Sequence, residues 1–530
     1  MKKVLFSIFL LSFFLQTSAQ QLKTKPNWQN LDFEKDGVRG MSVERAYAEL
    51  LKGKPSKTVL VAVIDGGTDV NHEDLKDRIW VNAKEIAGNG KDDDKNGFVD
   101  DINGWDFLGG KDGQDVNHEQ IEITRMLKQL KEKFGDKPSK KLLRKNQAEY
   151  ALYQKLQKEY EEKKAEAEQY APFYAQLYKN FVESENVLKA YLKTDNLTKE
   201  SIAGIDENSV DRSVRAAKRT LEKFMELGAT GSDIKDAVEH YENEQKYNLN
   251  LDFNPRVVVG DKPDKLQYGE YGNNEVVGPD GMHGTHVAGI IAANRNNNLG
   301  IKGVADNVRI MVVRAVPDGD ERDKDVANAI RYAADNGAQI INMSFGKPYS
   351  PEKKWVDDAV KYAQSKGVLL IAAAGNDNED TDVDVHYPTN TYANGGKAEN
   401  WISVGALSWK NAPDAVAEFS NYGKNNVDVF APGVDIYSTI PGSKYEEKSG
   451  TSMAAPATTG VAALLKSYFP ELTAAQLKKI ILESAVKAPE LRVYKPGTKE
   501  IVKFEDLSVT GGIVNAYNAV KMASEMTAKQ

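Results

Sequence analysis

The chain contains the run Thr58-Val59-Leu60-Val61-Ala62-Val63-Ile64-Asp65-Gly66-Gly67, in which an apolar segment ends abruptly in a carboxylate and two glycines. Continuous apolarity over this length, bounded by turn residues, is typical of a strand buried on both faces of a parallel sheet. Asp65 would then lie at the carboxyl end of the strand, where open α/β sheets bind their ligands. The run therefore predicts a fold with a parallel sheet. It also predicts that functional residues lie at the edge formed by the carboxyl ends of the strands.

Stretches with helical spacing alternate with apolar runs in the second half of the chain. The helices predicted there are Asp325–Asn336, Trp355–Lys366, Ala454–Ser467 and Ala474–Ser484. Strands that alternate with helices in this way form a parallel sheet with helices on both faces. The predicted fold class is therefore α/β, with a parallel sheet sandwiched by helices.

A serine precedes one of these helices, in the segment Gly450-Thr451-Ser452-Met453-Ala454-Ala455-Pro456. The helix is apolar on nearly every face, so we expect it to be buried. Backbone N–H groups at a helix N-terminus favour negative charge, and a serine that attacks a carbonyl carbon generates an oxyanion. Ser452 is therefore a candidate nucleophile; the alternative is a serine that merely caps the helix.

A histidine begins another segment of small and apolar residues, His283-Gly284-Thr285-His286-Val287-Ala288-Gly289. A serine nucleophile needs a base to take its proton, and the base needs a carboxylate that orients it and stabilises its protonated form. In the chain order Asp65, His283, Ser452 the three residues can form such a triad. Each has another interpretation, as a turn residue, a core histidine or a helix cap, but their joint occurrence favours the triad.

These segments resemble the three signature segments of the subtilisin-like serine peptidases, and they do so nearly unchanged. The resemblance extends over most of residues 28–118 and 250–525. It implies that Asp65 orients the base, that His283 is general base and then general acid, and that Ser452 forms an acyl-enzyme. The implied activity is that of a serine endopeptidase with a subtilisin-like fold, which requires no cofactor for its chemistry.

Another apolar run ends in an amide, Gly367-Val368-Leu369-Leu370-Ile371-Ala372-Ala373-Ala374-Gly375-Asn376. An asparagine at the carboxyl end of a strand can direct its side-chain N–H₂ group at a developing oxyanion. The family carries an oxyanion-hole asparagine after such an Ala-Ala-Gly run, so the resemblance assigns this role to Asn376, together with the Ser452 N–H. The alternative is an asparagine in a turn.

The segment Ala338-Gln339-Ile340-Ile341-Asn342-Met343-Ser344-Phe345-Gly346 predicts a strand whose end resembles the family segment that pairs with extended substrate. Backbone pairing of this kind tolerates many substrate sequences. The predicted substrate-binding residues are Ser344, Phe345, Gly346, Ala373, Ala374 and Gly375. Small side chains and Phe345 would wall the pocket for P1, the residue before the cleaved bond. We therefore expect broad cleavage, with apolar or aromatic residues preferred at P1.

The predicted acid and base lie 218 positions apart, which leaves room for an insertion. Composition changes near Asn117 and changes back near Asn254, and between them apolar residues recur at helical spacing within 123–134, 148–160, 174–191 and 214–224. The pattern predicts an α-helical insertion over 118–253, of three or four helices, that divides the catalytic domain into 20–117 and 254–530. Its charged face is either simply solvated or a lid or exosite that selects substrates.

An acidic segment follows the first predicted strand, and within it Asp92, Asp94, Asn96 and Asp100 are candidate metal ligands. Alternating oxygen-bearing side chains followed by Gly97 are typical of calcium loops. The match is partial, because the twelfth position from Asp92 is Asn103 rather than a glutamate. The alternatives are a structural calcium and a plain acidic turn. Zinc is disfavoured, because there is no cysteine and no helical His-Glu-x-x-His segment.

The first nineteen residues, Met1 to Ala19, have the pattern of a secretory signal peptide, with Lys2 and Lys3 ahead of an apolar region and small residues at its end. Without these two lysines the formal net charge changes from −8 to −10. An acidic chain argues against nucleic acid as a partner, and no other apolar run approaches the ~20 residues of a membrane span. We expect a periplasmic or extracellular protein whose partners are protein or peptide substrates.

Two other functional classes compete with a peptidase. The first is a binding or chaperone-like protein that uses a protease scaffold and acts through its helical insertion. The joint presence of Asp65, His283, Ser452 and Asn376 argues against it, because a scaffold without chemistry does not need them together. The second is an esterase or lipase, which is disfavoured because the chain lacks a Gly-x-Ser-x-Gly elbow and has a different triad order.

Overall fold

The computed structural model describes residues 25, 27–135, 137–227 and 229–528. The signal peptide predicted for Met1 to Ala19 lies outside the described residues. By contacts within the chain the structure divides into two compact units, one of Ile123–Asp252 and one formed by the flanking segments, Thr24–Glu122 and Phe253–Gln530. The predicted insertion, 118–253, has nearly the bounds of the first unit.

The strands and helices of the described residues are as follows. The strands are β1 (Val59–Asp65), β2 (Gly104–Asp106), β3 (Val308–Arg314), β4 (Ile340–Met343), β5 (Leu369–Ala373), β6 (Trp401–Leu407), β7 (Val429–Pro432), β8 (Ile436–Ile440), β9 (Lys444–Lys448), β10 (Val486–Lys487), β11 (Arg492–Tyr494), β12 (Ile501–Lys503) and β13 (Gly512–Ile513). The α-helices are α1 (Phe33–Asp36), α2 (Val43–Ala46), α3 (Glu122–Phe134), α4 (Lys140–Lys145), α5 (Gln147–Leu192), α6 (Lys199–Ala203), α7 (Arg212–Glu226), α8 (Gly231–Asn243), α9 (Arg256–Val259), α10 (Met282–Ala292), α11 (Asp323–Asp335), α12 (Lys353–Ser365), α13 (Thr451–Tyr468), α14 (Ala474–Glu483) and α15 (Ala516–Thr527).

Nine of these strands form one sheet, in the order β10-β13-β7-β6-β5-β4-β1-β3-β2. Neighbouring strands in it are parallel, except for the antiparallel pair β10 and β13 at one edge. Two antiparallel ribbons, β8–β9 and β11–β12, stand outside the sheet. The predicted fold class, an α/β fold with a large parallel sheet between helices, is confirmed.

Alternate residues of β1 enter different hydrophobic cores, which explains why the strand is apolar throughout. Val61 and Val63 pack in a core that contains residues of α10, α13, α14 and α15. Ala62 and Ile64 pack in a second core, with residues of α11 and α12. Both faces of the sheet are therefore covered by helices, and polar side chains reach solvent mainly where the strands end.

The unit of residues 123–252 is helical and has a core of its own. Leu188 at the end of α5 packs there with Val214 and Leu221 of α7. Two of the predicted apolar groups, 148–160 and 174–191, lie on a single helix, α5, which continues through Pro172. A proline inside a helix removes a backbone hydrogen bond, but α5 packs against α7 and α8, and this packing supports the helix through the break.

Candidate active site

Asp65 and His283 are in direct contact at the carboxyl end of β1. His283 lies in the first turn of α10, and its Nδ1 is 2.8 Å from Oδ1 and 3.0 Å from Oδ2 of Asp65. A carboxylate only accepts hydrogen bonds, so Nδ1 carries the proton and Nε2 of the neutral ring remains an acceptor. The Asp65 side chain is only 4% exposed, whereas that of His283 is 42% exposed. The histidine is therefore accessible to a substrate, while its partner is shielded from water.

The glycine after His283 permits this close approach. A Cβ atom at Gly284 would lie 2.1 Å from the carbonyl oxygen of Gly67 and 3.1 Å from the Cβ atom of Asp65. The first turn of α10 therefore packs directly on the loop that follows β1. Thr285 also binds this loop, because its Oγ1 accepts a hydrogen bond of 2.8 Å from the N–H of Asp69.

The pKa values of the two histidines of α10 are shifted in opposite directions. Burial disfavours the charged form of His283, but the charge and the hydrogen bond of Asp65 outweigh it and raise the pKa of His283 above its ordinary value. Burial lowers the pKa of His286 to about 3, and its Nε2 donates to the carbonyl oxygen of Glu446 at 3.1 Å. His283 therefore takes up a proton more readily than an ordinary histidine does, whereas His286 stays neutral.

Ser452 lies at the same edge of the sheet. Ile64 of β1 is paired with Met343 of β4, so the residues that follow them, Asp65 and Ser344, are at one level. Ser452 Oγ donates to the carbonyl oxygen of Ser344 at 3.0 Å, and Ser344 Oγ donates to the carbonyl oxygen of Ser452 at 2.9 Å. These two bonds fix the first turn of α13 to the end of β4, beside the strand that carries Asp65.

Two N–H groups face one space beside the serine. The Oδ1 atom of Asn376 accepts from the N–H of Thr451 at 2.8 Å and from its Oγ1 at 2.9 Å. The position of a Cβ atom at Gly450 would be 3.5 Å from the backbone nitrogen of Ser452 and 3.6 Å from Nδ2 of Asn376. Because Gly450 has no Cβ, this space is open to an oxygen atom that would accept from both nitrogens. The arrangement has the form of an oxyanion hole.

The predicted substrate-binding segments are neighbours. Strands β4 and β5 are adjacent and parallel, so the segments that continue them, 344–346 and 373–375, leave the sheet side by side. The first is bound to Ser452 as described above, and in the second the N–H of Gly375 donates to Oγ1 of Thr451 at 3.2 Å. Both segments are therefore fixed to the first turn of α13.

The acidic segment brings together a set of carboxylates that differs from the predicted one. Oxygen atoms of Glu85, Asp92 and Asp94 lie within 4.8 Å of one another. Glu85 is only 9% exposed. Its Oε1 accepts from the N–H of Asp94 at 3.0 Å, whereas its buried Oε2 has no hydrogen-bond partner among the residues that the structure describes. Sequence reasoning missed Glu85, because it precedes the acidic segment and has no regular spacing from it.

The other two predicted ligands have different roles in this loop. The carboxylate of Asp100 lies outside the group and accepts from the N–H groups of Gly90, at 2.7 Å, and Asn89, at 3.3 Å. The Oδ1 atom of Asn96 accepts from the N–H of Phe98 at 2.8 Å. Glu85 therefore belongs to the group of three close carboxylates, whereas Asp100 does not.

Fold and geometry together define a class of protein. A base with a buried carboxylate partner, a serine at a helix N-terminus and a pair of converging N–H donors are the groups that acyl transfer from a peptide requires. They occur here at the carboxyl edge of a parallel sheet, in the chain order acid, base, nucleophile. This class is that of the serine peptidases.

Comparisons with known proteins give the family. The profile of the subtilase family matches residues 56–509, and the chain belongs to this family. It is 42% identical over 239 residues to the thermophilic serine proteinase of Bacillus sp. (strain AK1), which is 45% of this chain and 52% of that protein. It is 38% identical over 216 residues to subtilisin BL of Lederbergia lenta, which is 41% of this chain and 74% of that protein.

The chain thus spans about half of the length of the first relative and about three quarters of the second. Among solved structures, it is similar to one described as proteases from Pseudoalteromonas arctica PAMC 21717. The sequence identity is 28%, the TM-score is 0.40, and the match covers 49% of this chain and 81% of the other.

Proposed function

We propose that this protein is an endopeptidase that hydrolyses peptide bonds in proteins and peptides through an acyl-enzyme on Ser452. The observation that carries the proposal is the contact between Asp65 and His283 at the sheet edge to which Ser452 is fixed. Membership of the subtilase family supports it independently.

In the first step, the hydroxyl of Ser452 turns from the carbonyl oxygen of Ser344 towards His283 and attacks the substrate carbonyl carbon. His283 Nε2 takes the hydroxyl proton, and Asp65 stabilises the resulting imidazolium. The oxyanion accepts hydrogen bonds from the N–H of Ser452 and from Nδ2 of Asn376. Collapse of the intermediate breaks the C–N bond, and His283 gives its proton to the leaving amine.

In the second step, water replaces the amine. His283 takes a proton from the water as its oxygen attacks the ester carbon, and the same two N–H donors stabilise the second oxyanion. When this intermediate collapses, the proton returns to Oγ of Ser452 and the carboxylic acid leaves. The cycle needs no metal and no cofactor for its chemistry.

The substrate backbone binds between segments 344–346 and 373–375, as an added strand would. Backbone pairing imposes little sequence selection, so we propose broad specificity. A preference for apolar or aromatic P1 residues, inferred from the small side chains of these segments, stays a prediction.

Labelling with a fluorophosphonate probe tests the proposal. The purified protein should be labelled and should hydrolyse peptide anilides, and Ser452→Ala should abolish both. Ser449→Ala is a matched control, because the hydroxyl of Ser449 accepts from the N–H of Asp435 at 2.9 Å and has no role in the mechanism. Labelling that persists in Ser452→Ala, or a wild-type protein that is neither labelled nor active, would contradict the proposal.

We also propose a structural calcium ion at Glu85, Asp92 and Asp94. Hard cations are bound by carboxylate oxygens, and the buried, unpartnered Oε2 of Glu85 lies within such a group. Bound there, calcium would offset two of the three negative charges and so relieve the repulsion between the carboxylates. The ion would stabilise the fold and take no part in catalysis.

For the location of the protein we propose the periplasm or the extracellular space, on the basis of the signal-peptide pattern of Met1 to Ala19. Within the part of the chain that the structure describes, none of the helices combines the length and the apolarity that a membrane span requires. Its partners are then the proteins and peptides that it cleaves.

A further inference from the structure

The two substrate-binding segments each end in a glycine, and one histidine ring lies between these glycines. A Cβ atom at Gly346 would be 2.1 Å from Nε2 of His386, and one at Gly375 would be 3.0 Å from its Cε1 and Nδ1 atoms. The ring therefore occupies space that a side chain at Gly346 would fill, and a Cβ atom at Gly375, which would also meet Nδ2 of Asn421 at 2.2 Å, would crowd it from the other side. We call the space between Gly346 and Gly375 the glycine slot, and the imidazole of His386 fills it.

In the substrate-binding mode proposed above, the glycine slot lies where the P1 side chain would enter. Met343 of β4 is paired with Ala372 of β5, and three residues further along each chain stand Gly346 and Gly375. The segments on either side of the slot are those fixed to the first turn of α13, next to the proposed nucleophile. A P1 side chain that points between the two segments therefore meets His386.

Beyond the ring is empty space. A cavity of about 220 Å³ is lined by His386, by its neighbours Val385 and Tyr387, and by Ala373 and Ala374. The two glycines do not belong to its lining, so the imidazole separates the slot from the cavity. The space for a large side chain is present in the fold, but His386 closes it off.

The backbone next to the ring is held in place. Tyr387 and Lys347 exchange two backbone hydrogen bonds, of 2.8 and 2.9 Å, so the loop that carries His386 is joined to the segment that ends in Gly346. The His386 side chain is only 16% exposed, and burial lowers its pKa below the ordinary value. The ring is therefore a largely buried, neutral group on a backbone that is held in place, and it forms one wall of the space between the two segments.

We propose that His386 determines the specificity of this enzyme by limiting P1 to small side chains. The proposal rests on the proposed peptidase function, and it replaces the apolar or aromatic P1 preference expected from the sequence with a preference for small residues such as alanine. A phenylalanine side chain fits only if the ring of His386 leaves the slot. Replacing His386 by a smaller residue joins the slot to the cavity and admits large P1 residues.

The test uses the full chain and a series of peptide anilides that differ only at P1, with Ala, Val, Leu or Phe. The wild-type protein should cleave the Ala substrate at least about tenfold more efficiently, in kcat/KM, than the Phe substrate. His386→Gly and His386→Ala should shift the ratio of Phe to Ala cleavage by about tenfold or more towards Phe. The ratio is internal to each variant, so a loss of folded protein does not change it.

Two control variants separate the volume of the ring from other effects. His386→Gln keeps the slot filled and should retain the wild-type profile. Val385→Ala changes a 47% exposed neighbour that lines the cavity and should leave the Phe to Ala ratio unchanged. A wild-type preference for Phe, or the same profile in wild type and His386→Gly, would overturn the inference. Failure of the proposed function itself would look different, since no anilide would then be cleaved.

Discussion

The side-chain oxygen of Asn376 accepts two hydrogen bonds from Thr451, one from its N–H and one from its hydroxyl. An amide whose oxygen is held in this way must direct its N–H₂ group to the opposite side. On that side lies the space beside Gly450, which the N–H of Ser452 also faces. Thr451 is therefore a positioning residue for the proposed oxyanion hole, although it would not touch the substrate.

The first prediction concerns this pair. Asn376→Ala should lower kcat by about 100- to 1,000-fold, the range established for subtilisin, with little change in KM. Thr451→Val removes one of these two bonds and also the acceptor of the Gly375 N–H, and it should lower kcat by about tenfold, because the amide is then less firmly oriented. Thr458→Val in the same helix is the control, since its hydroxyl donates only to the carbonyl oxygen of Ala454. If kcat fell equally in Thr451→Val and Thr458→Val, the cause would be a destabilised helix α13 rather than a change in the position of Asn376.

The second prediction concerns the pH dependence of the base. The neutral form of His283 is the active one, and Asp65 raises its pKa, so kcat/KM should fall as the pH drops through a value above about 6.5. Asp65→Asn removes the charge that chiefly opposes the effect of burial on the His283 pKa, and only the weaker effect of Asp280 continues to raise it. The His283 pKa should then move to lower pH, while kcat falls by about 10,000-fold, as in another serine peptidase.

NMR titration of the ring protons checks this shift without depending on residual activity. His286 provides an internal control, because burial holds its pKa at about 3 and its signals should not titrate between pH 5 and 9. A His283 pKa that is the same in wild type and Asp65→Asn would refute the role of the carboxylate.

The sequence predicts the sheet from local patterns, whereas the pairing of Asp65 with His283, 218 positions apart, is expected from the chemistry of a triad and from the family resemblance of the segments that carry them. An apolar run that ends in a carboxylate indicates a buried strand and its carboxyl end, and β1 ends at Asp65. The histidine and the serine each begin a segment of small and apolar residues, and each lies in the first turn of its helix. Periodicity and turn residues contain this information within about a dozen positions.

Other features could not be predicted, because they depend on contacts between distant segments. Glu85 joins Asp92 and Asp94 through the path of a loop, and Thr451 acquires its role only from Asn376, 75 positions away. His386 lies in a loop without helical or strand periodicity, and only the folded chain places it between two glycines. No spacing pattern in the sequence indicates that a histidine will lie between two glycines in this way.

The third prediction concerns Gly284. Because a Cβ atom there would meet the Gly67 carbonyl oxygen at 2.1 Å, Gly284→Ala should displace the first turn of α10 and separate His283 from Asp65. We expect a loss of about 1–3 kcal/mol in the free energy of unfolding and a fall in kcat of at least about tenfold in the protein that remains folded.

Gly289→Ala on the same helix is the matched control. Its Cβ atom would meet the Thr439 and Ser438 side-chain oxygens, at 2.2 and 2.4 Å, away from the proposed triad. Thermal unfolding should show destabilisation of both variants, but reaction with a fluorophosphonate, in which Ser452 Oγ bonds to phosphorus and fluoride leaves, should be slow only in Gly284→Ala. A normal rate of this phosphonylation in Gly284→Ala would mean that the loop after β1 can yield without moving His283.

The fourth prediction concerns the proposed calcium ion. Because an ion that binds only the folded state stabilises it by mass action, calcium at about 100 times its Kd should add about 2.7 kcal/mol to the free energy of unfolding. Chelation should therefore lower the Tm, and readdition of calcium should restore it. Glu85→Gln, which removes the charge of the buried carboxylate, should abolish most of this response.

Asp93→Asn is the control for the calcium response, because it lowers the negative charge of the same loop without touching the group of three carboxylates. Asp93 accepts hydrogen bonds from the N–H of Ile86, at 3.1 Å, and from Nδ2 of Asn89, at 2.8 Å. If general electrostatic repulsion were the cause of the calcium effect, both variants would weaken it equally. A specific site requires that Asp93→Asn retains the full shift in Tm, and a wild-type Tm that does not respond to chelation would exclude the ion altogether.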